Sequence, residues 1–257
     1  MDANINIPKK VHYCWFGNKA MDEKIYKHIS TWKKHLPDWE FICWNEENFD
    51  VEKFQYAKEA YENKKYAFVS DVARMYALQM QGGIYLDTDV DILDNFEELL
   101  TGDLILAHES EKVLLTAFIA AVPNHPVINE MMELYSKLNF IMEDGKQNCT
   151  PNTVYLTDIV KKRGLLENNK KQLLEENIVV YPREVFGAFD AVDSTFIIQD
   201  TTKLVHMVDS SWKSLKDRIV LKTKIRLSKI LGKELYGKIR KIKKNTIGGS
   251  DNNEDKN

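Results

Sequence analysis

Residues 70–93 read SDVARMYALQMQGGIYLDTDVDIL. The spacing predicts a helix followed by a turn and a short strand. Ser70 is a good N-cap and Gly82 a good stop, and Val72, Met75, Tyr76 and Met80 would face the core. Asp71, Arg74 and Leu78 share another side, which makes Asp71 and Arg74 neighbours at i, i+3: a surface ion pair of small worth, or two groups aimed at a ligand. Gly82-Gly83 makes the turn and Ile84, Tyr85 and Leu86 the apolar strand. Asp87, Asp89 and Asp91 then follow at alternate positions. Carboxylates crowded at a strand end repel one another and are costly to desolvate unless a cation neutralises them. Mg²⁺ or Mn²⁺ takes such hard oxygen ligands and shares them with phosphates.

Outward from this segment, strands alternate with helices. IPKKVHYCWFG and WEFICWN read as strands on either side of a helix over 21–35, in which Ile25, His28, Ile29 and Trp32 fall at helical spacing. A strand so near the start is expected at the centre of the sheet. A second helix is expected over 50–65, with Val51, Phe54, Ala57 and Tyr61 on one side. LILAHES, TAFIAAV, NIVVYP and KLVHMVDSSW supply further strands, and helices are expected over 126–138, 152–163 and 165–175. This alternation implies an α/β fold, a mixed, mostly parallel sheet covered on both faces. Ligands of such sheets sit at the carboxyl ends of strands, where Trp15, Asp87 and His206 could converge.

The 257 residues, 44% apolar and 29% charged, suffice for one sizeable domain. The start lacks a signal-peptide core, and no apolar run is long enough to cross a bilayer. Cys14, Cys43 and Cys149 form neither a zinc nor a disulfide pattern, so a reduced, cytoplasmic setting is expected. The net charge of −3 conceals an asymmetry: residues 213–244 hold thirteen Lys or Arg against Asp217 and Glu234.

Three carboxylate layouts bear on DTDVD. As an EF-hand loop, Asp87, Asp89, Asp91 and Glu98 fit positions one, three, five and twelve. Ile92 stands where glycine is needed, though, and a strand precedes the loop, which excludes it. In an aspartyl-phosphate hydrolase, Asp87 would be the nucleophile and Asp89 the general acid. That fold normally begins with this strand, whereas about eighty residues come first here. In a DxD nucleotide-sugar site, a metal bridges a carboxylate to the donor diphosphate and stabilises the charge of the departing group. With its preceding residues the pattern becomes SDxxRxxxLxxxGGxYxDxD.

That segment resembles the sugar-binding DxD segment of glycosyltransferase family 32. IPKKVHYCWFG is similar to the family's first strand and HMVDSSW to its closing segment; FIAAVPNHP and VVYPREVF resemble its middle landmarks. The likeness runs from about residue 7 to 212. It implies a GT-A-like mixed, mostly parallel sheet flanked by helices, with the basic helical tail outside it. It implies that Asp87, Asp89 and Arg74 carry the chemistry. Trp15 would stack on the nucleobase, Asp71 would hold ribose or sugar hydroxyls, and Arg74 would meet the sugar or phosphate. Tyr85 and Asp87 would also contact donor. Asp89 would ligate Mn²⁺ or Mg²⁺ directly, His206 would be a second ligand, and Asp87 would reach the metal through water. Ser211, or Ser210, and Trp212 would close over the diphosphate; Asp91 has no role and would be solvated. Trp15 and His206 are equally readable as core residues, and Trp212 as a helix-start anchor.

The family is retaining. With no dedicated nucleophile in view, front-face displacement fits better than a covalent intermediate. The expected function is metal-dependent transfer of a hexose or N-acetylhexosamine from a nucleotide-diphosphate donor, UDP-linked, to a glycan or lipid-linked glycan in capsular or surface polysaccharide synthesis. A phosphohydrolase or a non-catalytic sugar-nucleotide binding module are the alternatives. The expected organisation is a catalytic domain over 1–212, a basic amphipathic helical segment over 213–244 and a disordered tail over 245–257. The basic segment would bind an anionic membrane surface, placing the enzyme on the inner face of the cell membrane; a solvated helix or one docked on the acidic body is the alternative. Nucleic acid is not expected, since Tyr236 is the one aromatic after Trp212.

Overall fold

The computed structural model describes residues 6–190, 194–208, 219, 220, 223 and 226. In chain order its elements are β1 (Lys10–Cys14), α1 (Glu23–His35), β2 (Glu40–Trp44), α2 (Gln55–Glu62), α3 (Tyr66–Gln81), β3 (Gly83–Leu86), β4 (Val90–Ile92), β5 (Leu104–Ala107), β6 (Phe118–Ala121), α4 (Pro126–Lys137), α5 (Asn152–Lys161), β7 (Gln172–Leu174), β8 (Ile178–Tyr181), β9 (Phe186–Gly187), β10 (Phe189–Asp190), β11 (Thr195–Phe196) and β12 (Leu204–His206).

A seven-stranded sheet runs β2-β1-β3-β6-β5-β8-β7. Strands β1, β2, β3, β5 and β8 point one way, and β6 and β7 oppose them. This is the mixed, mostly parallel sheet expected, although β1 lies second from an edge rather than at the centre. Parallel strands buried on both faces need apolar residues throughout, and β3, β5, β6 and β8 are buried at every position. One core fills the face under α2 to α5; the other lies between the sheet and α1, with Trp32 and Leu36 at its centre.

Helix α3 is the spine of the first core. Val72, Met75 and Leu78 are fully buried. It starts at Tyr66, four residues before the expected cap. Ser70 is therefore interior, its hydroxyl donating to Tyr66 O at 3.1 Å. Met80 faces outward, 57% exposed. The helix does end at Gly82. A Cβ on Gly82 (φ +61) would lie 2.7 Å from Pro123 N, and one on Gly83 (φ +102) 2.5 Å from Lys10 O. Only glycine fits this close backbone crossing, which aims β3 straight into the sheet.

The 50–65 region splits into a 3₁₀ turn over Val51–Lys53 and α2. The helix expected over 165–175 is absent. Asn169 takes φ +47, and Gln172 knits a turn by accepting from Leu166 N and donating to Leu166 O, after which the chain enters β7. A smaller sheet, β4-β12-β9, lies beside the carboxyl rim. Among the described residues no helix is long and apolar enough to cross a membrane. Ser210, Ser211, Trp212, the boundary near 212 and most of 213–257 lie outside the described residues.

Candidate active site at the carboxyl rim

Because β1, β3, β5 and β8 share a direction, the residues that follow them share one rim: Trp15, Asp87, His108 and Arg183. Strand β12 comes to that rim from the smaller sheet. Its His206 pairs in register with Val90, and Met207 N donates to Asp89 O at 2.9 Å. Asp87, Asp89 and His206 consequently present ligand-capable atoms that all lie within 4.8 Å of one another. His206 Nε2 is 3.3 Å from Asp89 Oδ1, and both side chains are mostly buried. Two carboxylates and an imidazole suit a hard to borderline divalent cation; the nitrogen favours Mn²⁺ over Mg²⁺.

Behind Asp87 lies a buried charge cluster. The Arg74 guanidinium is 3.0 Å from Asp71 Oδ1 and 3.2 Å from Asp87 Oδ1. It also donates to Thr116 O at 2.7 Å and lies over the Tyr85 ring, 4.5 Å from its centroid. Tyr85 OH donates to Asp87 at 2.9 Å. Arg74 is thus the neutralising partner of two acids and fixes where Asp87 points. The i, i+3 pair is not a surface pair: Arg74 is 5% and Asp71 9% exposed.

The electrostatics follow from this packing. Burial pushes the Asp71 carboxyl up to about 6, with Arg74 opposing and Asp87 adding to the rise. Burial pulls the His206 imidazole down, but the Asp89 carboxylate, with Asp87 and Glu109 further away, outweighs it and pushes the pKa up to about 9. The Asp89 carboxylate beside it thus favours the protonated ring.

The structure thus brings Asp71, Arg74, Tyr85 and Asp87 into one cluster, and Asp87, Asp89 and His206 into another. Trp15 stands one strand away at the end of β1, half-buried, with its indole N–H donating to Lys19 O at 2.5 Å. Asp91 is not solvated as expected; it pairs with His28 at 2.7 Å. Sequence reasoning missed that histidine as a partner of the acidic run, and also missed Thr116, whose hydroxyl donates to the buried Asn152 side chain at 2.8 Å. Nothing local signals either contact, since the partners are far apart in the chain.

Residues 22–112 match the family described as the glycosyltransferase sugar-binding region containing DXD motif. Inositol phosphoceramide mannosyltransferase 1 of Schizosaccharomyces pombe is 25% identical over 141 residues, covering 52% of this chain and 44% of that protein. An uncharacterised glycosyltransferase of Acanthamoeba polyphaga mimivirus is 27% identical over 157 residues, covering 57% and 61%. The chain therefore spans roughly half the length of these relatives. Among solved structures, the PaToxG glycosyltransferase aligns with a TM-score of 0.47 at 21% identity, covering 61% of this chain and 68% of that one. Over residues 22–112 the chain is similar to the DXD-containing glycosyltransferases.

Proposed function

We propose that the protein is a metal-dependent, retaining glycosyltransferase of GT-A type that moves a sugar from a nucleotide-diphosphate donor to a glycan acceptor. The observation that carries this reading is the convergence of Asp87, Asp89 and His206 within 4.8 Å at the rim, beside the Arg74 cluster. Asp89 and His206 would hold the cation, with Asp87 reaching it through water. Bound there, Mn²⁺ or Mg²⁺ would neutralise the charge of a departing diphosphate. Asp71, Tyr85, Asp87 and Trp15 would bind and orient the donor, and Ser211 and Trp212 would cover it. Asp87 accepts from Tyr85 and pairs with Arg74, which lowers its nucleophilicity and supports donor binding over attack.

The names of the fungal relatives support a hexose as the transferred group and leave GDP-mannose beside UDP-sugars as donor. A cytoplasmic setting, synthesis of capsule or another surface polysaccharide, and membrane contact through 213–244 are further parts of this reading. They rest on the sequence. A truncation ending near residue 214 should lose binding to anionic vesicles; equal binding refutes the membrane role.

The test is a thermal-shift panel of UDP- and GDP-sugars with and without Mn²⁺, repeated on Asp89→Ala. A donor that binds the folded state raises Tm by mass action. Stabilisation should require Mn²⁺ and vanish in the mutant. Metal-independent stabilisation that survives Asp89→Ala contradicts the reading.

A further inference from the structure

The seven-stranded sheet ends at β7, and among the described residues no strand pairs with its outer side. An open strand edge presents backbone N–H and C=O groups as a template for a further strand. Residues 170–176 read KKQLLEE. Gln172, Leu173 and Leu174 pair antiparallel with Val180, Val179 and Ile178, and Glu175 opens the turn back into β8. Leu174 packs against the core under α2 to α5. Alternation then puts Lys171, Leu173 and Glu175 on the opposite face. The Lys171 ammonium agrees with this side: it lies 4.9 Å from the centroid of the Tyr181 ring, which belongs to the other core. Leu173 is 76% exposed, the most of any large apolar side chain among the described residues.

The stripe Lys171-Leu173-Glu175 is its own complement. A second copy, turned about a two-fold axis through Leu173 and perpendicular to the sheet, lays Leu173 beside Leu173. It also sets Lys171 of each copy against Glu175 of the other. No other antiparallel register does this. A slip of two residues puts Leu173 opposite a charge, and a slip of four puts Lys171 against Lys171 or Glu175 against Glu175. An odd slip sets the stripe against the opposite face of the second strand, and parallel pairing in register sets like against like. Opposite charges on facing positions stabilise a strand pair, and like charges destabilise it. Lysine on an edge strand ordinarily keeps strands apart; here the acid four positions on makes that repulsion conditional on register. The other edge of the sheet has no such stripe. On β2, Glu40, Ile42 and Trp44 share a face, and self-pairing about Ile42 would set a carboxylate against an indole.

We propose that the β7 edge is a homodimer interface, occupied by the β7 edge of a second copy of this chain in antiparallel register about Leu173. Two seven-stranded sheets then become one continuous sheet. Leu166, also exposed, is held beside Gln172 by that residue's amide and adds apolar surface on the helix side of the joint. The axis reverses the strands, so the carboxyl rims of the two copies face opposite ways. Strands β1 and β3, which lead to Trp15 and Asp87, lie towards the edge away from the joint. Each copy keeps its own rim open, and the dimer is independent of what the rim binds. A joint of so few residues is small, so the dimer is weak and forms reversibly with concentration.

The test is sedimentation equilibrium on the full chain from about 10 µM to about 1 mM, the range of a weak interface. Wild type should pass from monomer towards dimer within it. Lys171→Glu alone sets carboxylates against carboxylates, and Glu175→Lys alone sets ammonium groups against ammonium groups. Each should weaken dimerisation about tenfold, because two attractive pairs become repulsive in one dimer. An equimolar mixture of the two single variants restores both pairs and should dimerise as wild type does. So should the double variant that carries both substitutions. Lys171 and Glu175 are exposed, so the Tm of each variant at low concentration should stay close to that of wild type. A wild type still monomeric at the top of the range, a dimer indifferent to both charge reversals, or single variants that do not rescue each other on mixing each overturn the inference.

Discussion

His28 Nδ1 lies 2.7 Å from Asp91 Oδ1, so the third acid of DTDVD is tied to α1. Two neighbouring contacts complete a clamp: Trp32 Nε1 donates to Val90 O at 2.7 Å, and Thr31 Oγ1 accepts from Ile92 N at 3.0 Å. Strand β4, held this way, pairs residue by residue with β12 and delivers His206 to Asp89. Asp91→Ala removes a partly buried charge-assisted hydrogen bond and should cost about 1.5–3 kcal/mol in urea denaturation. It should also weaken Mn²⁺ binding, although Asp91 is not itself a ligand. Asp91→Asn keeps an acceptor oxygen and should lose less on both counts. Unchanged stability and Mn²⁺ affinity in Asp91→Ala would show that the clamp positions nothing.

Arg74 neutralises Asp71 and Asp87 together, and removing it leaves two buried carboxylates facing each other. Arg74→Ala should cost about 3–5 kcal/mol. Arg74→Lys keeps the charge but loses the planar fork that spans Asp71, Asp87 and Thr116 O, so it should recover only part of that loss. Equal stability of wild type and Arg74→Ala in a denaturant titration would contradict the cluster.

The Gly82-Gly83 turn was legible in the sequence, but the close approach of β1 that requires glycine at Gly83 was not. A methyl at Gly83 meets the Lys10 carbonyl, and that carbonyl is backbone that cannot rotate away. Gly83→Ala should therefore destabilise by about 2 kcal/mol or more, beyond the ordinary cost of alanine at positive φ. A Gly83→Ala protein with wild-type Tm would mean that β1 and β3 do not approach as described.

Local patterns carried the helix-turn-strand-acid segment because each of its signals lies within a few residues. The start of α3 was misread for the same reason. Ser70 followed by an acid imitates a cap, while the real start at Lys65–Tyr66 has no side-chain cap and is set by packing of Phe68 and Val69 in the core. Leu165, Leu166, Leu173 and Leu174 imitate helical spacing, but Asn168 and Asn169 turn the chain between them. The His28–Asp91 pair spans 63 positions, so it has no sequence signal short enough to read. The grouping of Asp87, Asp89 and His206 was legible through the family resemblance, because no spacing rule links residues so distant in the chain.

The metal-free protein should show a pH dependence owed to His206. Its folded pKa of about 9 stands above the ordinary 6.5. The stabilisation it provides is therefore fully present below about pH 6.5 and is lost as pH rises through 9. A cation needs the neutral ring, so Mn²⁺ must displace that proton. Calorimetry in buffers of different ionisation enthalpy should find proton release on Mn²⁺ binding near neutral pH, with affinity rising towards pH 9. His206→Gln should abolish the release. Release that persists in His206→Gln would assign the proton elsewhere.

The central claim is that one cation is held between β3 and β12 and pins a diphosphate. The most direct measurement is an anomalous-difference map from crystals soaked with Mn²⁺ and a UDP- or GDP-sugar. The account predicts a peak between the Asp89 carboxylate and His206 Nε2, with the diphosphate alongside it. A nucleotide bound elsewhere, with Asp87, Asp89 and His206 turned to solvent and no manganese among them, would contradict it.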